Sequence, residues 1–229
     1  MTQPDLVIFD FDGTLVDSEI IAARIEADLL TKAGFPITGG EISERYAGLT
    51  FKDIMLRIEE EANIPLQASL IDEAEVLVDR RLRAEVRPID GALAAVLSVK
   101  GRKCTCSNSR TERILFMLER TGLDRAFGKD DVFSALSTPS GKPKPAPDVF
   151  VHAAKHYGAD PANTFVVEDS VHGIHAAKAA GMRVIGFTGA AHSYPGHADM
   201  LTDASAETVI HRWSDFGGVV AALSEWSEA

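Results

Sequence analysis

Residues 7–17 read Val7-Ile8-Phe9-Asp10-Phe11-Asp12-Gly13-Thr14-Leu15-Val16-Asp17. Three apolar residues run into an acid, and a second acid follows two places on. In extended backbone, residues two apart share a face. Asp10 and Asp12 are therefore expected side by side where a buried strand ends. Paired carboxylates repel each other and resist losing water. An accidental acidic turn at Asp12-Gly13 would leave that repulsion uncompensated. A divalent cation with a taste for oxygen, Mg²⁺ above all, would offset it.

The same kind of short apolar run recurs along the chain. Strands are expected near Leu6–Phe9, Lys103–Ser107, 131–134, 164–167 and 184–187, each rich in Val, Ile, Phe or Cys. Such runs suit strands buried on both faces. Helical patterns separate them. One begins at Ser109, where Ser109 and Glu112 form the S-x-x-E pattern of a capping box, and stops near Gly122. Two more cover 146–157 and 171–180, each followed by glycine. This alternation predicts an α/β fold, a Rossmann-like three-layer core with a parallel sheet between helices. Residues 17–86 break the alternation. They show helical patterns at 20–33, 41–46, 51–61 and 66–85, with Thr50 and Asp53 marking one helix start, and no strand. We expect an inserted α-helical cap domain at 17–86, and a core made of 1–16 and 87–229.

The chain has 229 residues and a formal net charge of −11, with 34 acidic against 23 basic side chains. That balance speaks against nucleic acid and against anionic membrane as partners. The apolar patch Leu6–Phe9 is too short for a signal peptide or a membrane helix. A soluble, cytoplasmic monomer is expected. Cys104 and Cys106 are the only cysteines. Two apart on a strand, they are expected as reduced, buried thiols on one face.

Three further stretches could carry chemistry. In 164–173, TFVVEDSVHG, Glu168 and Asp169 follow an apolar strand and Ser170 can cap the next helix. Ligands of open α/β sheets bind beyond the carboxyl ends of the strands, where strand order reverses. If the first and fourth strands adjoin there, four carboxylates converge on one metal. In 106–112, CSNSRTE, Ser107 and Asn108 sit between a strand and a helix, a place suited to phosphate oxygens. In 140–150, SGKPKPAPDVF, prolines stiffen a loop bearing Lys142 and Lys144. A fixed cation there could neutralise a nucleophilic carboxylate and a phosphoryl group together. The histidine pairs 152/156 and 172/175 lack a third ligand and read as helix-surface residues. His192 and His197 are not assigned to the site.

These motifs, in this order, resemble the haloacid dehalogenase superfamily: D-x-D-G-T-L-x-D-S, a Ser-Asn after the second strand, K-P-x-P-D-x-F, and E-D-S before a helix ending A-G-M. More narrowly they resemble its phosphatase and β-phosphoglucomutase-like branch, whose helical cap lies between the first two core strands. The resemblance implies that Asp10 is the nucleophile that becomes an aspartyl-phosphate. Asp12 would be the general acid, then the general base. Ser107 and the Asn108 backbone would hold phosphoryl oxygens, and Lys144 would be the cation. Mg²⁺ would be held by Asp10, the Asp12 carbonyl and Asp169, with Glu168 in or near its shell. The partner implied is a small phosphorylated metabolite.

Asp12 separates the chemistries. Cleaving a carbon–halogen bond needs no protonated alkoxide, whereas cleaving a phosphate ester does. Mutases of this branch resemble the chain less closely, since Ala22 and Phe51 stand where they carry a cap His and an Arg. The expected activity is hydrolysis of a sugar or sugar-acid phosphate monoester. A phosphomutase and a non-catalytic member of the fold are the alternatives. Arg45, Lys52, Arg80, Arg81 and Arg83 could meet an anionic substrate, but read as solvated helix charges.

Overall fold

The computed structural model describes residues 3–46, 49–63 and 65–226. Six strands form one sheet in the order β3-β2-β1-β4-β5-β6. They are β1 (Leu6–Phe9), β2 (Lys103–Ser107), β3 (Val132–Ser134), β4 (Thr164–Glu168), β5 (Arg183–Phe187) and β6 (Thr208–Ile210). Every neighbouring pair is parallel. β6 is an addition to the five strands expected from sequence. Its three residues are too few to show a period, and it is defined only by its pairing with β5.

The strands alternate their side chains between two apolar layers. Val7, Phe9, Phe165, Val167, Ile185 and Phe187 point into one layer. Leu6, Ile8, Val166 and Val184 point into the other, with Cys104 and Cys106 as buried free thiols on that same face. Phe9 is fully buried and meets the rings of Phe127, Trp213 and Phe216 at centroid distances of 6.2, 5.7 and 5.5 Å. Burying such a side chain stabilises the fold by about 1.5–3 kcal/mol. The core helices are α5 (Ala92–Ser98), α6 (Thr111–Thr121), α7 (Asp148–Tyr157), α8 (Val171–Ala179), α9 (His197–Asp203) and α10 (Phe216–Trp226). None among the described residues is long and apolar enough to cross a membrane.

Between β1 and α5 the described residues form four helices: α1 (Glu19–Lys32), α2 (Gly39–Arg45), α3 (Phe51–Ala62) and α4 (Ser69–Glu85). Leu30, Ile42, Ile54 and Ile58 gather in an apolar cluster of their own. Ile25, Leu29, Val78 and Leu82 instead join the core layer, tying α1 and α4 to it. Thr38 and Glu41 make a reciprocal capping box at α2. Thr50 accepts from the Asp53 amide at α3. The chain leaves and re-enters side by side: Asp17 N donates to Arg87 O at 3.1 Å, and Ile89 N to Leu15 O at 2.9 Å.

One helix start differs from expectation. Ser109 does not cap α6; Arg110 is the N-cap residue and makes no side-chain cap bond. The Ser109 backbone is already engaged, its N–H donating to Ser107 Oγ at 2.8 Å and its carbonyl accepting from Ser134 Oγ at 2.7 Å. The loop is fastened to the strand ends, so the helix begins one residue later.

Candidate active site

Strand order reverses between β1 and β4, where the chain crosses back over the sheet. That is where open α/β sheets place ligands. A cavity of about 340 Å³ opens there, floored by strand ends and loops and walled by α1, α2 and α3. Asp10, Asp12, Ser107, Asn108, Lys144, Glu168 and Asp169 all line it. Lys142 does not; it is exposed on the loop.

Asp10 continues β1, and its amide donates to Val167 O at 2.9 Å. Opposite stands the buried Lys144, whose ammonium donates to Asp10 Oδ1 at 2.5 Å, Glu168 Oε2 at 2.8 Å and the Cys106 carbonyl at 2.9 Å. All three of its N–H bonds are spent. Asn108 holds this lysine in place from behind. Its Oδ1 accepts from Lys144 N at 2.8 Å, and its Nδ2 donates to Lys144 O at 3.3 Å. The sequence marks only the Asn108 backbone as a phosphate ligand; its side-chain clamp on Lys144 joins positions 36 apart and has no local signal.

The E-D-S segment is equally built. Glu168 Oε1 accepts from Ser170 Oγ at 2.8 Å and Ser170 N at 3.2 Å. Ser170 Oγ in turn accepts from Gly173 N at 3.0 Å, capping α8 as expected. Gly173 is needed for space: a Cβ there would lie 1.9 Å from Glu168 Cδ. Asp169 accepts from Thr14 Oγ1 at 3.1 Å and pairs with His192 Nε2 at 2.9 Å, while its carbonyl meets His197 Nε2 at 2.8 Å. Gly13, at φ 77°, leaves room for this group, since a Cβ would fall 2.3 Å from Asp169 Oδ2.

Asp10, Glu168 and Asp169 offer carboxylate oxygens within 4.8 Å of one another. The fourth carboxylate does not join them. Asp12 turns aside, accepting from Ser18 Oγ at 2.9 Å and Ser107 Oγ at 2.6 Å. Four converging carboxylates were expected; three converge, because two hydroxyls capture the fourth.

The cluster is short of positive charge. Burial, then Glu168, pushes Asp10 well above the usual carboxylate range despite Lys144. Burial also raises Glu168, while Asp10 and Glu168 together raise Lys144 against the opposing effect of its own burial. Burial would raise Asp169 as well, but His192 and Thr14 outweigh it and hold that carboxylate low. One ammonium shared by two buried acids cannot neutralise both. The donor set is all oxygen and underneutralised, so it fits a hard divalent cation.

Of the remaining sequence candidates, His172 and the unassigned His192 and His197 reach the cavity. His152 and His156 lie against the Phe133 ring on an exposed helix face. His175 is exposed, and His172 is half-buried in the cavity wall. Arg45 pairs with Glu61 at 3.1 Å, Arg81 pairs with Glu85 at 2.5 Å and Arg83 lies over the Phe116 ring. None of these arginines, nor Lys52 or Arg80, lines the cavity. Ser18, Glu19, Glu26 and His192 do; Ser18 closes the D-x-D-G-T-L-x-D-S motif without a role of its own, His192 is left unassigned by the sequence, and Glu19 and Glu26 carry no motif at all. On a helix, two glutamates seven residues apart look like ordinary solvated charges, and the approach of His192 depends on a loop far along the chain.

Residues 7–187 match a family described as haloacid dehalogenase-like hydrolase. Escherichia coli 6-phosphogluconate phosphatase is 30% identical over 198 residues, 85% of this chain and 87% of that one. A solved haloacid dehalogenase-like protein of unknown function from Agrobacterium tumefaciens is 54% identical. It matches 96% of this chain and 99% of its own at a TM-score of 0.92. A family hydrolase from Deinococcus radiodurans, solved with bound phosphate and sodium, is 28% identical over 98% of this chain and 97% of its own, at a TM-score of 0.79.

Proposed function

The chain belongs to the haloacid dehalogenase-like hydrolase family, and on that premise we propose that it is a phosphatase of small phosphate monoesters, of the sugar or sugar-acid class. The observation that carries this reading is the division between Asp10 and Asp12. Two residues apart, they face one cavity in different settings. Asp10 is held by an ammonium inside the acid cluster, and Asp12 by two hydroxyls outside it.

That division suits two steps. An Asp10 oxygen attacks phosphorus, and the bond from phosphorus to the ester oxygen breaks as Asp12 gives that oxygen its proton. Water then attacks phosphorus, the Asp10–phosphorus bond breaks, and Asp12 recovers a proton from the water. Lys144 neutralises Asp10 and developing phosphoryl charge, and Ser107 with the Asn108 backbone is placed to orient phosphoryl oxygens. Asp10, Asp169 and the Asp12 carbonyl would hold Mg²⁺, with Glu168 beside them, and the ion would supply charge stabilisation to the phosphoryl group.

Position 22 lines the cavity as alanine and offers no second acid–base group for returning a phosphoryl group to a sugar, which supports hydrolysis over a mutase. The names of relatives agree: 6-phosphogluconate phosphatase of Escherichia coli and phosphoglycolate phosphatase of Nitrosococcus oceani. The test is phosphate release from p-nitrophenyl phosphate with Mg²⁺ and with chelator. Wild-type protein is expected to turn over only with the metal. Asp10→Asn, checked for folding by circular dichroism, is expected to lose about a thousandfold or more. Wild-type turnover in that variant would exclude the covalent mechanism.

A further inference from the structure

The cavity's charges are unevenly used. Lys144 is shared between Asp10 and Glu168. Arg110 pairs with Glu75 at 3.3 Å and Asp79 at 3.2 Å, and Arg113 with Asp79 at 2.6 Å. His192 is taken by Asp169. Burial, then His175 nearby, lowers His172. No lysine or arginine of this cavity is therefore left without an acidic partner among the described residues. Glu19 and Glu26, both on α1, are the reverse case. They line the cavity, and neither has a hydrogen-bond or ion-pair partner among the described residues.

From this we propose that Glu19 and Glu26 select the leaving group, and that it is polyhydroxylated and uncharged or amine-bearing, not a carboxylate or a second phosphate. The inference rests on the phosphatase reading and narrows its sugar or sugar-acid class to the sugar side, away from the acid in the name of the Escherichia coli relative. Seven residues span about 10 Å of helix, so the two glutamates stand at different depths. Glu19 is at the catalytic end, its Cγ 3.0 Å from where a Gly13 Cβ would lie. Glu26 is two turns further into the helical wall, and Ala22 between them leaves space. A hydroxyl or an ammonium can donate to either carboxyl group. An anionic group would enter a wall with no cation to spare. Glu19 reaches solvent at the cavity mouth, yet crowding by the walls, then the charge of Asp12, pushes it up to about 8 against the pull of His192, which Asp169 already engages. Burial pushes Glu26 up to about 7. Protonated or not, neither supplies a positive charge. The cavity, about 340 Å³, is at the small end of ligand sites, which suits one sugar-sized group.

Three six-carbon esters phosphorylated at the same position separate the outcomes: glucose 6-phosphate, glucosamine 6-phosphate and 6-phosphogluconate. With wild-type enzyme and Mg²⁺, kcat/KM for each of the first two is expected to exceed that for the acid by about tenfold or more. In Glu19→Gln with Glu26→Gln, the ratio of glucose 6-phosphate to 6-phosphogluconate is expected to shrink by about tenfold. The ratio is internal to each preparation, so partial misfolding does not alter it. The wild-type comparison stands even if the double variant fails to fold. Equal or better turnover of the acid, or an unchanged ratio in the variant, would overturn the inference. So would turnover of p-nitrophenyl phosphate with all three esters inert. Inert p-nitrophenyl phosphate would instead bring down the phosphatase reading, and this inference with it.

Discussion

The floor and the helical wall of the cavity treat charge in opposite ways. On the floor, Asp10, Lys144, Glu168 and Asp169 are buried, and each is held by named partners. On the wall, α1 presents two glutamates with no hydrogen-bond or ion-pair partner among the described residues. Groups that neutralise and position a reacting centre must be fixed before it arrives, because reorganising them during reaction would raise the barrier. Groups that recognise a leaving group must keep hydrogen-bonding capacity in reserve. The floor is rigid by its bonds, and the wall is selective by what it leaves unbonded.

The strongest way to break this contrast is to remove the cation of the floor. Lys144→Met leaves Asp10 and Glu168 buried without their ammonium. It is expected to abolish measurable turnover and to destabilise the fold by about 3–5 kcal/mol, read from urea denaturation. A fold as stable as wild type would mean that the floor does not depend on the pairing. A smaller effect is expected from Gly173→Ala. The added methyl must displace Glu168, which is buried and cannot swing into solvent. A loss of about 1–3 kcal/mol is expected, with turnover reduced through the shifted Glu168–Lys144 pair. Full activity would show that Glu168 has room the structure does not reveal.

The smallest effect belongs to the wall and concerns pH. Glu26 is raised by burial from an ordinary 4.5 to about 7. The folded state therefore binds this proton more tightly than the unfolded state between those values. Its contribution to stability is complete below about pH 4.5 and is lost as pH rises through 7. Glu26→Gln removes that loss. The wild type is expected to lose more Tm than the variant between pH 5 and pH 8, and parallel pH profiles would contradict the assignment.

Much of the floor was readable in the chain. VIFDFDGTLVD and TFVVEDSVHG each show an apolar strand running into acids, so the chain itself marks acids at two strand ends. Ser170 was readable as a cap because capping depends on neighbours in sequence. Ser109 looked equally like a cap, yet contacts with Ser107 and Ser134 drew its backbone elsewhere. Asp12 was expected beside Asp10 in one carboxylate cluster. Ser18, from the first residues beyond the exit loop, and Ser107, from β2, turn it away. The short edge strand β6 had no period to read.

The sequence by itself determined which residues end strands, where helices replace strands between positions 17 and 86, and which motifs could handle a phosphoryl group. Periodicity and capping are local, so a short window contains them. Only the tertiary structure decided that β1 lies against β4, that one ammonium serves both Asp10 and Glu168, and that α1 turns Glu19 and Glu26 into the same cavity. The Lys144 ammonium comes 134 positions after Asp10, and β4 lies further along the chain still. Their meeting is set by the crossover of the sheet and the packing of α1 onto the core, which no local pattern encodes.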